Sequence, residues 1–366
     1  MKKIPLLCCC LQLSLGAAAR EDAALYFPPA EGEWERVDPV SIGWDVAKLQ
    51  AFMDYAGKNK SSGVVILYRG RLLAEHYWPL NPAEKNPGGP RSAYQHMRLG
   101  EDAGGRAIED VASAQKSVTA MLVGIAQHKG LLKIGDPVHT YLGKGWSKAP
   151  ADAEAGITIR HLITMSSGLS PRLQYVAPAG TQWFYNTGAY SLALTCVSKA
   201  AGMDANELTG KWLTGPTGMK DSRWAVRPWQ TSVRTDANRY GFATTARDLA
   251  RFGILMLANG NWEKKNVLED KAYIKAATSP STKLNPSYGY LWWLNGGPFV
   301  PRAAGKNKPG RLISSAPRDM YAAQGKLNRR LYVLPSQQVV ITRLGDQPGS
   351  GFNTEFFKLL RAASGK

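Results

Sequence analysis

The apolar positions of this chain change period several times, and each change marks an element. Over residues 45–55 they recur at Val46, Leu49, Phe52 and Met53, the spacing of one helix face, with Asp45 placed to cap it. Residues 64–68 and 72–78 are β-branched and aromatic runs around Arg69-Gly70-Arg71, which predicts a hairpin. Residues 81–104 are rich in Pro, Gly and Asn and read as a long loop. The clearest helix covers 113–128, with Val118, Met121, Leu122 and Ile125 on one face and Gly130 as its stop. A short helix capped by Thr158 is expected up to Met165, and further helices over 189–201, 205–213 and 245–258. Strand character then returns in short runs at 288–293, 320–324, 330–334 and 338–343, before an amphipathic helix over 352–363.

That order predicts an α+β fold. An antiparallel sheet flanked by helices would be built from both ends of the chain, residues 20–115 and 245–366. An all-helical region, 116–244, would be inserted between them. No internal repeat is present.

Composition adds bounds. The chain has 366 residues, 44% hydrophobic and 20% charged, enough to bury a large core and unlike a disordered chain. Its net charge of +18 is spread through loops and the C-terminal third. With no basic stripe and no nucleic-acid motif, no nucleic-acid partner is expected.

The N-terminus changes the picture more. Lys2 and Lys3 precede a mostly apolar run over 4–15, and Ala17-Ala18-Ala19 supplies small residues at a cleavage position. Residues 1–19 therefore read as a signal peptide cut after Ala19, which would make the mature protein periplasmic or secreted. The run is too short for a permanent span, so no stable membrane insertion is expected. An uncleaved anchor, or a lipid on Cys8, Cys9 or Cys10, is the alternative. Only Cys196 remains in the mature chain, which excludes an internal disulfide. It lies in the apolar run 191–197 and is expected to be a core residue.

The candidate chemistry centres on Ser113-Ala-Gln-Lys116, the only Ser-x-x-Lys in the sequence. A serine hydroxyl needs a base within reach and donors for the developing oxyanion. Residues three apart on a helix share a face, so the Lys116 amine can reach Ser113. The helix start favours negative charge, and burial would lower the lysine pKa. The same four residues also fit a capping serine beside a solvated lysine. Their position at the head of the best amphipathic helix favours the catalytic reading. Five histidines (His76, His96, His128, His139 and His161) show no metal-binding spacing, and no Gly-x-Ser-x-Gly elbow occurs. Neither a metal nor a cofactor is expected.

Several ordered motifs resemble the class C β-lactamase, DD-peptidase and esterase superfamily. Ser113-Ala-Gln-Lys116-Ser-Val-Thr is similar to its nucleophile motif. Residues 158–169, Thr-Ile-Arg-His-Leu-Ile-Thr-Met-Ser-Ser-Gly-Leu, resemble the helix-to-turn segment that follows. Residues 180–188, Gly-Thr-Gln-Trp-Phe-Tyr-Asn-Thr-Gly, resemble the second motif, which brings a tyrosine beside the nucleophile. Residues 246–253 and 288–293 match later landmarks in order. Residues 316–325 and 331–335 resemble the final strand pair, especially in the branch near 6-aminohexanoate-oligomer hydrolases. The resemblance covers nearly all of the chain after about residue 45.

The resemblance implies a serine hydrolase with Ser113 acylated, Lys116 as its base and Tyr185 moving protons to the leaving group and from water. It implies an oxyanion hole from the backbone N–H groups of Ser113 and Lys326. Asn186 would orient Lys116 or a substrate amide, and Gln324 and Gly325 would line the substrate edge. The second motif is usually Tyr-x-Asn. Here Tyr185 leads to Thr187, whereas Asn186 as third residue would make Phe184 the first. Tyr185 is preferred because a phenol transfers a proton and a phenyl ring does not. Ala323-Gln324-Gly325 stands where β-lactamases carry Lys-Thr-Gly, so the usual carboxylate-binding cation is missing. Arg311, Arg329 and Arg343 are the candidates to replace it. The expected substrate is therefore a small-molecule carboxylic ester or amide. The alternatives are a DD-peptidase or β-lactamase, and a non-catalytic envelope ligand-binding protein.

Overall fold

The computed structural model describes residues 24–80, 93–227, 239–301 and 307–365. The expected signal peptide, Cys8 to Cys10, and the first half of the expected loop at 81–104 lie outside them.

Helix α1, Val46–Lys58, begins where the sequence places it: Asp45 accepts a hydrogen bond from the Lys48 amide at 3.0 Å. The hairpin follows as β1, Ser61–Tyr68, and β2, Arg71–Tyr77. Two short strands come next, β3, Arg98–Glu101, and β4, Ala107–Asp110, and then helix α2, Gln115–His128. Helix α3 is Thr187–Ala201. Strands β5, Arg223–Val226, and β6, Tyr240–Thr244, precede helix α4, Ala246–Leu257. The last strands are β7, Trp293–Leu294, β8, Tyr321–Gln324, β9, Arg330–Leu334, and β10, Val339–Gly345. Helix α5, Phe352–Ser364, closes the chain.

Six strands form one antiparallel sheet in the order β2-β1-β10-β9-β8-β7, which sets Ile66 opposite Ile341. The two ends of the chain thus build one sheet, and the fold class is α+β. Side chains alternate across it. Val64, Ile66, Tyr332, Leu334, Val339 and Ile341 face α1 and α5, while Val65, Leu67, Leu331, Val333 and Val340 face α4 and the helices beyond. Both faces are buried, so these strands read as continuous apolar runs.

Helix α2 sits deepest. Every residue from 115 to 126 is buried, its polar side chains included. A helix enclosed all round cannot hide a charge on a solvent face, so burial disfavours the charged form of Lys116.

Several boundaries differ from the sequence reading. A second antiparallel sheet, β3-β4-β6-β5, draws two strands from the region expected to be helical. Ala93–Met97 is helical and β3 follows it, inside the expected loop. The helix expected over 205–213 is α-helical only at Ala205–Thr209, then widens into a π turn before Gly215 and Pro216. Within 288–293 only Trp293 joins the sheet; Leu291 adopts φ 60° and the chain doubles back there. These elements are too short for periodicity to register.

Candidate active site

The turn carrying Ser113 is shaped by its neighbours. β4 ends at Asp110, whose carboxylate accepts the Ala112 amide at 2.8 Å. Ala112 is held in the left-handed region at φ 51°, a strained conformation for a residue with a Cβ. Ser113 sits in the single 3₁₀ turn Ala112–Ala114, immediately before α2. It is half-buried, whereas Lys116 is only 2% exposed. Lys116 Nζ lies 3.0 Å from Ser113 Oγ. Burial pushes the Lys116 ammonium down to about 7, and the positive charge of Arg227 acts in the same direction.

The second wall is the approach to α3. Phe184 N donates to the Met165 carbonyl at 2.8 Å, which holds the segment against the turn after the Thr158-capped helix. Burial raises the Tyr185 phenol, opposed by the neighbouring Ser113 side chain and by the charge of Arg330. The Lys116 amine lies 4.8 Å from the Tyr185 ring centroid and 4.1 Å from that of Tyr190, so two π faces surround it.

Asn186, expected to orient Lys116 or a substrate amide, has its hydrogen bonds elsewhere than on the amine. Its Oδ1 accepts the Ala189 amide at 3.1 Å, and its Nδ2 donates to the carbonyls of Leu169 at 2.7 Å and Ser170 at 3.1 Å. Its amide is committed to capping α3 and anchoring the neighbouring loop. Thr187 lies beside the amine instead, with Oγ1 3.4 Å from Lys116 Nζ. Of the two registers open in the sequence, Tyr185-x-Thr187 is the one whose ends meet the Ser113–Lys116 pair.

The third wall is the end of β8. A Cβ on Gly325 would come within 2.0 Å of the Val111 carbonyl and 3.4 Å of the Ala114 amide nitrogen. Only glycine lets this strand run backbone against backbone beside the Ser113 turn. Lys326 opens the tight turn that follows, where Leu327 and Asn328 take φ 61° and 59°, and its side chain is exposed. Gln324 is half-buried and pairs with Arg330 across the ladder.

None of the three candidate cations reaches this edge. Arg329 is fully buried, with Nε 2.7 Å from Glu109 Oε2. Arg343 is fully buried and donates to the carbonyls of Leu327 and Asp346, each at 2.8 Å. Arg311 donates to the carbonyls of Ala316 at 2.9 Å and Ser314 at 2.5 Å. Arg330 touches this edge: its Nη1 donates to the Gly325 carbonyl at 2.5 Å, while its buried Nε has no partner among the described residues.

Sequence reasoning also missed an aromatic wall. Tyr185 stacks on Trp293 at 5.8 Å between centroids, and Tyr288 meets Trp293 edge-on at 4.9 Å. Trp183 completes the group 6.1 Å from Trp293. Their separation in sequence, 183–185 against 288–293, left no local signal. Elsewhere His161 closes a capping box with Thr158, and the buried Cys196 thiol is pushed up to about 12, so both are structural. Among the described residues no three His, Cys, Asp or Glu side chains gather as metal ligands, and no helix is long and apolar enough to cross a membrane.

The family described as Beta-lactamase matches residues 47–360. An uncharacterized protein from Alkalihalophilus pseudofirmus is 23% identical over 337 residues, covering 86% of this chain and 91% of its own. A candidate beta-lactamase from Bacteroides dorei superposes with a TM-score of 0.65 at 17% identity, over 88% of this chain and 100% of that one. A candidate 6-aminohexanoate-dimer hydrolase from Bacillus anthracis gives 0.64 at 15% identity, over 93% and 89%. At such identities the structural likeness establishes the fold alone.

Proposed function

The chain belongs to the Beta-lactamase family, whose members are serine hydrolases, and from that premise we propose that it cleaves a carboxylic ester or small amide through an acyl-enzyme on Ser113. One observation carries the reading: a buried amine stands 3.0 Å from a half-buried hydroxyl at the start of a helix. The amine is neutral above about pH 7 and can then accept a proton.

In the first half-reaction the Ser113 proton passes to Lys116 as Oγ bonds to the substrate carbonyl carbon. The carbonyl oxygen takes the electron pair and is held by the N–H groups of Ser113 and Lys326. Tyr185 delivers a proton to the leaving alcohol or amine as the tetrahedral species collapses to an acyl-enzyme, and the proton held by Lys116 passes to Tyr185, so both groups regain their starting states. In the second half, water gives its proton to the same Tyr185–Lys116 pair and attacks the acyl carbon. Ser113 leaves reprotonated, and a carboxylic acid is released.

Two features favour a small substrate with an uncharged acyl group. Ala323 stands buried where a carboxylate-binding lysine would lie, and Trp183, Tyr288 and Trp293 supply apolar surface beside Tyr185. A second reading, a peptidase or β-lactamase for carboxylate-bearing substrates, draws support from Arg330 beside Gly325. We also infer export, from the basic and apolar N-terminus; sequencing the mature N-terminus of protein recovered from intact cells tests it.

A panel of three reagents separates these readings. Turnover of p-nitrophenyl acetate with fluorophosphonate labelling, both lost in Ser113→Ala, is the expected result. Slowly released fluorescent penicillin on Ser113 would favour the peptidase. No reaction with any reagent would leave a non-catalytic ligand-binding protein.

A further inference from the structure

Behind the Ser113–Lys116 pair lies a buried polar chain that the proposed mechanism does not use. Asp110 and Arg227 form a two-pronged ion pair, Nε to Oδ2 at 2.6 Å and Nη2 to Oδ1 at 2.8 Å. Both side chains are almost fully enclosed, at 1% and 5% exposure. Arg227 Nη2 also donates to Gln115 Oε1 at 2.9 Å, and Gln115 Nε2 donates to the Tyr190 hydroxyl at 2.7 Å. The Phe242 amide reaches the same Gln115 oxygen at 3.1 Å, so that side chain has one orientation. The Tyr190 ring then lies 4.1 Å from the Lys116 amine.

The backbone is shaped around this chain. A Cβ on Gly241 would fall 2.2 Å from Asp110 Oδ2, so glycine is what lets β6 cross over the carboxylate. Asp110 serves two elements at once: one oxygen holds the Ala112 amide of the Ser113 turn, and both hold Arg227. The strand ends that carry Asp110 and Arg227 thereby become part of the support of α2.

We propose that Arg227 is a positioning residue of the reaction. Clamped by Asp110, its guanidinium fixes Gln115 and, through it, the Tyr190 ring on which the Lys116 amine rests, and it sets a permanent positive charge behind that amine.

A like charge in a low-dielectric interior disfavours protonation of its neighbour, and Arg227 is the charged group that acts with burial on Lys116. The other groups facing the amine are Ser113 and Thr187, which are uncharged, and the Tyr185 and Tyr190 phenols, both raised by burial. Asp110 stands behind Arg227, and Arg330 lies beyond Tyr185. The inference rests on the proposed Ser113–Lys116 chemistry.

The test is the pH profile of Ser113 labelling by a fluorophosphonate in the whole protein, with folding checked by circular dichroism. Arg227→Gln removes the positive charge and leaves Asp110 behind, so the midpoint should rise by roughly half a unit or more. Asp110→Asn keeps an acceptor for the Ala112 amide while removing the opposing charge, so its midpoint should fall. Opposite shifts from two neighbouring substitutions are a signature that loss of packing alone would not give. Should Arg227→Gln fail to fold, the downward shift in Asp110→Asn carries the test. Midpoints equal to wild type in the folded variants, even at lower rates, would overturn the proposal. Absence of Ser113 labelling in the wild-type protein would instead overturn the acyl-enzyme reading beneath it.

Discussion

Thr187 Oγ1 stands 3.4 Å from Lys116 Nζ. The neighbouring Asn186 amide is spent on the helix cap and two loop carbonyls. Adjacent residues therefore have separable roles. Thr187→Val should lower the acylation rate about three- to tenfold, the worth of one hydrogen bond, with an unchanged melting temperature. Asn186→Ala should cost about 2 kcal/mol of stability through the lost cap and loop contacts. Stopped-flow labelling paired with denaturant titration of both variants distinguishes the two effects.

Lys116 should cost stability for its function. With its folded pKa depressed to about 7 from 10.5, the unfolded chain holds the extra proton between those values. The burden is complete below pH 7 and fades as pH rises toward 10.5. Lys116→Met should abolish acylation yet raise the unfolding free energy by a few kcal/mol at pH 6. The gain should shrink at pH 10. A destabilised variant at pH 6 would mean the amine is already well accommodated there.

Tyr185→Phe keeps the ring stacked on Trp293 and removes only the hydroxyl proposed to move protons at Ser113. Turnover of an ester should fall roughly 10²- to 10⁴-fold, the usual worth of a positioned acid–base group. The ester-derived acyl-enzyme should then accumulate and be visible by intact mass. Unchanged turnover would assign proton transfer to Lys116 alone.

Much of this was legible in the sequence, for identifiable reasons. The Ser-x-x-Lys spacing carries its own geometry, because helical residues three apart must meet. The strands of the large sheet were visible as apolar runs because both of its faces are covered. Asn186 was misplaced because two overlapping registers of one motif cannot be separated without knowing which side chain caps α3. The Asp110–Arg227–Gln115–Tyr190 chain was invisible because Arg227 lies 117 residues from Asp110 and 112 from Gln115, and Gln115 lies 75 from Tyr190, so no local pattern links them. Arg329 and Arg343 looked like free cations because a sequence does not reveal that Glu109 and a ring of carbonyls already hold them.

Gly325 should tolerate no side chain. Its φ of −117° is ordinary, so Gly325→Ala adds no backbone strain, only the collision with the Val111 carbonyl. The strand end must retreat from the Ser113 turn, and with it the Lys326 amide proposed for the oxyanion. Ester turnover should drop about 10²- to 10³-fold, as for loss of one oxyanion donor. Gly310→Ala, where a Cβ meets nothing within 4 Å, controls for remote changes; its φ of 85° predicts a small stability loss and unchanged turnover.

The central claim is that Ser113 is made nucleophilic by the neutral form of Lys116. The most direct measurement is the rate of fluorophosphonate capture from pH 5 to 9, with the adduct mapped by peptide mass spectrometry. The account predicts one adduct, on Ser113, forming at a rate that climbs through about pH 7 and then levels off. An adduct on another residue, no adduct, or a rate indifferent to pH would contradict it.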